Sequence, residues 1–136
     1  MHNDLEVYRK SINLTVEIYE ITRTFPKKEK FGLIDQMRRC VVSIPSNISE
    51  GYGRNSLNDL IRFLYISKGS LNELETQIEI SEKLKYLSEQ NGLKMKKEIT
   101  EISKMLCSLI DSMIKKREES LGRKGIIREE IERYEI

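Results

Sequence analysis

The chain contains one histidine, His2, no tryptophan, two prolines and two cysteines. Each scarcity removes a class of chemistry. A single histidine at the extreme N-terminus cannot build a Ser-His-Asp triad, an H-E-x-x-H zinc site or the paired Glu-x-x-His ligands of di-iron bundles. Cys40 and Cys107 show no C-x-x-C spacing, which favours small buried hydrophobes in a reducing compartment over a disulfide or a metal site. Charge of one sign is also missing, since 24 basic residues face 22 acidic ones for a net charge of +2. Such a balance predicts no nucleic-acid partner by itself. No apolar run approaches the roughly 18 residues of a membrane span, and MHNDLEVYRK lacks the apolar core of a secretory signal. A cytoplasmic protein with no membrane association is expected.

What the sequence does contain is helical periodicity, with sustained strand-like alternation nowhere in evidence. A first helix is expected over Asp4 to Thr24, closed by Pro26. Leu5, Tyr8, Ile12, Val16 and Tyr19 form its apolar stripe, widened by Leu14, Ile18 and Ile21. Lys27 to Lys30 read as a solvated connector. A second helix begins near Gly32, is kinked at Pro45 and stops at Gly51 and Gly53.

A third helix starts at Ser56, a capping residue, and runs to Leu84 or Lys85. Gly69-Ser70 in its middle suggests close approach of another backbone. A fourth, announced by Ser88 and clearest from Leu93 to Lys116, spaces Met95, Ile99, Ile102, Leu106, Leu109 and Met113 in the a/d pattern of left-handed bundles. The expected fold is therefore all-α, an up-down left-handed four-helix bundle over residues 1–117, with no cofactor. Residues 118–136 form a charged tail, either frayed or a short helix carrying Ile127, Ile131 and Tyr134 that docks on a neighbouring chain or a partner.

The densest information lies between Phe31 and Arg54, FGLIDQMRRCVVSIPSNISEGYGR. Leu33, Met37, Val41, Ile44 and Ile48 line one helical face. Gln36, Arg39, Ser43, Asn47 and Glu50 make a second, polar stripe, the candidate interface or channel surface. Arg38 and Arg39 admit a salt bridge, a phosphate contact or plain solvation, and for Arg39 the salt bridge is favoured. The cations Arg38, Arg54, Lys115, Lys116 and Arg117 are the candidate nucleic-acid contacts.

The Phe31–Arg54 block, followed by FLYISKGSLNELETQIEIS and KYL, closely resembles the four-helix bundle proteins encoded by intervening sequences of bacterial 23S rRNA genes. The likeness runs from about Leu5 to Met113 and is sharpest in N-I-S-E-G and G-S-L-N-E-L-E. It departs from the usual pattern at Cys40 and Ser49, where alanine is common. The resemblance implies a ring-like homopentamer without known catalytic activity. It also implies similarity to the accessory subunit of diversity-generating retroelements, which works beside a reverse transcriptase, so RNA, DNA or a polymerase are the alternative partners.

Overall fold

A computed structural model describes the backbone of residues 2–134 and the side chains of residues 6–133. The side chains of His2, Leu5 and Tyr134, to which the sequence assigns roles, lie outside that set. Four helices, α1 (His2–Thr22), α2 (Leu33–Tyr52), α3 (Leu57–Lys83) and α4 (Glu89–Tyr134), are joined by short connections, the first carrying a single 3₁₀ turn at Lys27–Glu29. Each helix packs on its chain neighbours and α1 closes against α4, while diagonal pairs stay apart among the described residues. That is the up-down bundle expected from the periodicity.

The core stripe of α2 is as read: Met37, Val41, Ile44 and Ile48 are buried and Leu33 packs at their edge. The six a/d positions of α4 are buried too. In α1 the two apolar stripes exchange roles. Val7, Leu14 and Ile18 enter the core together with Ser11 and Thr22. Ile12, Val16 and Tyr19 face outward with 38 to 51 % of their surface exposed. The serine and threonine are tolerated inside because each hydroxyl donates to its own helix, Ser11 Oγ to the Tyr8 carbonyl and Thr22 Oγ1 to the Ile18 carbonyl, both at 2.7 Å.

Pro45 sits within α2 and is buried. Having no N–H, it leaves the Val41 carbonyl without its usual helical donor. Thr15 Oγ1 on α1 reaches that carbonyl at 3.3 Å, sharing its hydrogen with the Ser11 carbonyl at 2.8 Å. Gly51 does not stop the helix but lies inside it, and a Cβ there would stand 3.0 Å from Phe63 Cβ and 3.1 Å from Leu60 Cδ1. The close backbone approach expected at Gly69 therefore occurs at Gly51, whereas Gly69 has open space where its Cβ would be.

The cap assignments hold at both remaining helix starts. Ser56 Oγ accepts the Asp59 amide and Ser88 Oγ accepts the Asn91 amide, each at 3.1 Å. At the other end of α3, Lys85 adopts φ 64° so that the Tyr86 amide can reach back to the Ser81 carbonyl at 3.0 Å. Helix α4 continues through Gly122 and Gly125 for 46 residues, about 69 Å at 1.5 Å each. The tail is thus a helical extension in which residues 118–133 are all exposed.

Two substitutions test this packing by urea denaturation. Gly51→Ala is expected to destabilise the fold by about 1–3 kcal/mol, because the neighbouring Phe63 Cβ belongs to a packed residue that must shift. Lys85→Gly is expected to raise stability by roughly 0.5–1 kcal/mol by relieving the left-handed backbone.

Candidate functional site

The polar stripe of α2 divides between two environments. Ser43 and Asn47 are half-buried: Ser43 Oγ bonds the Cys40 carbonyl and Ser70 Oγ of α3, both at 2.6 Å, and Asn47 Nδ2 donates to the Ser43 carbonyl at 2.7 Å. Gln36, Arg39 and Glu50 point to solvent. Arg39 finds its carboxylate one turn back, at Asp35, 3.0 Å away, and Glu50 holds Arg54 at 2.7 Å. These are exposed i,i+4 pairs, contributing about 0.3–0.5 kcal/mol each, so the two ends of the stripe do not meet.

Cys40 is buried and its thiol donates to the Ser70 carbonyl at 3.0 Å. Burial, with Glu73 nearby, pushes this thiol up to about 12, so it is a structural donor and not a thiolate nucleophile. Cys107 is half-buried, and both cysteines are free. Among the described residues no group of three His, Cys, Asp or Glu side chains is placed to hold a metal ion, and no helix is long and apolar enough to cross a membrane.

The cationic candidates also separate. Arg38 is committed to α1: its Nε donates to Thr22 Oγ1 at 3.0 Å, a terminal nitrogen donates to the Tyr19 carbonyl at 3.2 Å, and the guanidinium lies 4.7 Å from the Tyr19 ring centroid. A cation at the last turn of a helix complements its free carbonyls. Arg54 gathers instead with Arg62, a residue that sequence reasoning missed. The two guanidinium groups sit 5.1 and 4.6 Å from the Phe63 ring centroid. Arg117 donates to Asn58 Oδ1 at 3.0 Å in the first turn of α3. Arg54, Arg62 and Arg117, with exposed Lys115 and Lys116, therefore occupy one end of the bundle, where α2 ends, α3 begins and α4 leaves it.

A cleft of about 220 Å³ between α1 and α4 is lined by Lys10, Asn13, Glu17, Glu98, Glu101 and Ile102. Lys10 holds Glu101 at 2.7 Å, and Lys94 stands 3.9 Å from Glu17. Glu17 Oε2 is buried without a hydrogen-bonding partner. Desolvation and the adjacent Glu17 carboxylate raise Glu98 from an ordinary 4.5 to about 7. A proton retained on Glu98 is the donor that Glu17 lacks.

With this geometry in place, the class of molecule is a four-helix bundle whose polar elaboration lies on outer surfaces and seams. Residues 3–108 match the family of 23S rRNA-intervening sequence proteins, and the chain belongs to that family. A crystal structure of a protein of unknown function from the S23 ribosomal protein family of Bacteroides thetaiotaomicron is similar, with 29% sequence identity and a TM-score of 0.75. The alignment covers 80% of this chain and 98% of that one. Among curated proteins none matches.

The Glu98 shift fixes a pH dependence. The folded chain binds more protons than the unfolded chain between pH 4.5 and about 7, so stability falls as pH rises through that window and levels off above it. Because Glu98 is partly solvated, the effect is expected to be about 1 kcal/mol. Glu98→Gln, which keeps a donor toward Glu17 at every pH, should flatten the dependence and raise Tm at pH 8 but not at pH 4.5. Parallel thermal melts of the two proteins across this range provide the check.

Proposed function

We propose that the protein is a non-enzymatic bundle that assembles with copies of itself through two outer faces. The observation that carries this reading is the pair of apolar strips left in solvent on diagonally opposed helices. One consists of Ile12, Val16 and Tyr19 on α1, with exposed Val42 beside them on α2. The register of α1 and α2 follows from the Thr15–Val41 and Arg38–Tyr19 contacts, which put Val42 at the level of this strip. The other consists of Tyr65 and Ile66 on α3 beside Gly69, with Ile80 exposed further along the same outer face beyond Glu73 and Thr76.

Single exposed apolar residues need no explanation, but contiguous strips mark interaction surfaces. Two different strips on opposite corners of one subunit suit a head-to-tail contact, the kind that closes into a ring. Five copies is the number implied by the family resemblance. Gln36, Arg39 and Glu50, on the side of α2 toward α3, then form a polar rim beside the α3 strip, where Gly69 admits close contact.

A second reading has its own observation in the cationic end of the bundle. Arg54 and Arg62 lie against the Phe63 ring, Arg117, Lys115 and Lys116 stand at the same end of the bundle, and a ring would repeat that cluster once per subunit. RNA, in keeping with a family connected with 23S rRNA, is the polyanion this end would contact.

Multi-angle light scattering after gel filtration is expected to give a multimer at micromolar concentration. Val16→Glu and Ile66→Glu should each give a folded monomer, and Arg39→Ala should weaken assembly more than Lys28→Ala. A wild-type monomer would sink the assembly reading. For the RNA reading, affinity should fall on the order of 10-fold or more between about 50 and 200 mM salt if about three phosphates are contacted. Arg54→Ala with Arg62→Ala should remove most of that dependence.

A further inference from the structure

Among the described residues, the last hydrogen bond that ties α4 to the rest of the bundle is Arg117 to Asn58. Beyond it the helix runs on to Tyr134 with no element opposite, and residues 118–133 are exposed throughout. This extension lies outside residues 3–108, the part shared with the family. It is not a uniformly solvated rod. Lys124, Ile127, Arg128 and Ile131 recur at three- and four-residue intervals on one face and form a shallow concavity with Glu132. Ile127 and Ile131 keep more than half of their surface exposed, as does Leu121. The extension also contains Gly122 and Gly125, each about 1 kcal/mol less favourable than alanine in a helix interior. A segment of this length with two glycines would be marginal as a lone helix in water, so contact along its isoleucine face adds directly to its stability.

The charges along the extension identify that partner. Within two turns of Ile127, the residues before it include the bases Arg123 and Lys124, and those after it include Glu129, Glu130 and Glu132 together with Arg128 and Arg133. A parallel, in-register pair of extensions would set basic against basic and acidic against acidic. An antiparallel pair crossing near Ile127 brings Lys124 of one copy beside Glu130 of the other and Arg123 within a turn of Glu132, twice by symmetry.

We propose that the α4 extension is a homotypic docking helix: it pairs antiparallel with the extension of a second copy of this chain through Ile127 and Ile131. Subunits of one ring send their extensions in the same direction, so an antiparallel partner comes from a second assembly. The pairing therefore links assemblies, and it does not depend on the bundle faces that build each one.

Orientation-specific crosslinking of the full-length chain tests this. Lys124→Cys and Glu130→Cys are made separately, each with Cys107→Ala, leaving Cys40 buried. Both positions are exposed, and antiparallel pairing sets one beside the other across the two copies. On mild oxidation the mixture should give a disulfide dimer that joins one variant to the other, while each variant alone gives little. Adding Ile127→Asp and Ile131→Asp, both at exposed positions, should abolish that dimer without loss of helical signal from the bundle. Efficient self-crosslinking of each variant alone would overturn the proposal by showing parallel pairing. Absence of a dimer in the mixture, or persistence of the dimer in the aspartate variants, would overturn it as well. The Val16→Glu background separates this outcome from ring assembly, because the tail crosslink should survive there.

Discussion

The seam between α2 and α3 is the constraint on which the rest of the fold depends. Two helix backbones can come this close only if the residues between them are small, and the seam supplies Cys40, Ser43, Gly51, Ser67 and Ser70. Polar groups inside such a contact must find partners, and here they find each other. Ser67 donates to the Ile44 carbonyl at 2.9 Å, Cys40 to the Ser70 carbonyl, and the hydroxyls of Ser43 and Ser70 meet. Each bond is worth about 1 kcal/mol net, but leaving any one of them unmade inside the contact costs more. The seam therefore specifies one register of α3 against α2.

From that register the other helices follow. Pro45 exposes the Val41 carbonyl on the side of α2 that faces α1, and Thr15 reaches it. Arg38 belongs to the same boundary, because its guanidinium closes the last turn of α1, and the position one turn further along α2 is the apolar Val42. No cationic stripe therefore runs along this side of α2. Helix α4 then completes the square with a regular a/d stripe against α3 and a more polar boundary with α1, where Lys10, Glu17, Glu98 and Glu101 face one another. The seam richest in small residues is thus the most tightly specified, and the one lined with charged groups responds to pH.

The parts legible in the sequence are those in which one stripe is apolar and its neighbours are plainly polar. That holds for α2 and α4, where periodicity alone identifies the core. It fails for α1, which carries two apolar stripes roughly 150° apart at 100° per residue. The choice between them depends on Ser11 and Thr22 being satisfied by their own helix, a condition invisible to hydropathy. Glycine is ambiguous for the same kind of reason. Gly51 and Gly69 can each be read as punctuation or as close contact, and only the position of Phe63 and Leu60 decides between them. Periodicity likewise places Gln36, Arg39, Ser43, Asn47 and Glu50 on one broad face, but a face about 100° wide can be split by a neighbour. Helix α3 takes Ser43 and Asn47 out of solvent and leaves the three outer residues in it.

The extension of α4 shows where local signals and cooperativity compete. Gly122 and Gly125 are natural stop signals, and a helix starting afresh there would have to overcome an unfavourable nucleus. The bundle supplies that nucleus, because α4 arrives at Arg117 already wound and anchored by the stripe ending at Met113. Each further residue then needs only the favourable increment of propagation, which the lysines, arginines and glutamates of the segment provide. The same argument limits how firmly the extension is held. Its helix is coupled to the bundle at one end only, so any contact along Ile127 and Ile131 stabilises it directly. A rigid core that matches the family and a marginal helix beyond it are two levels of stability in one continuous element, and the marginal level is where binding has the greatest leverage.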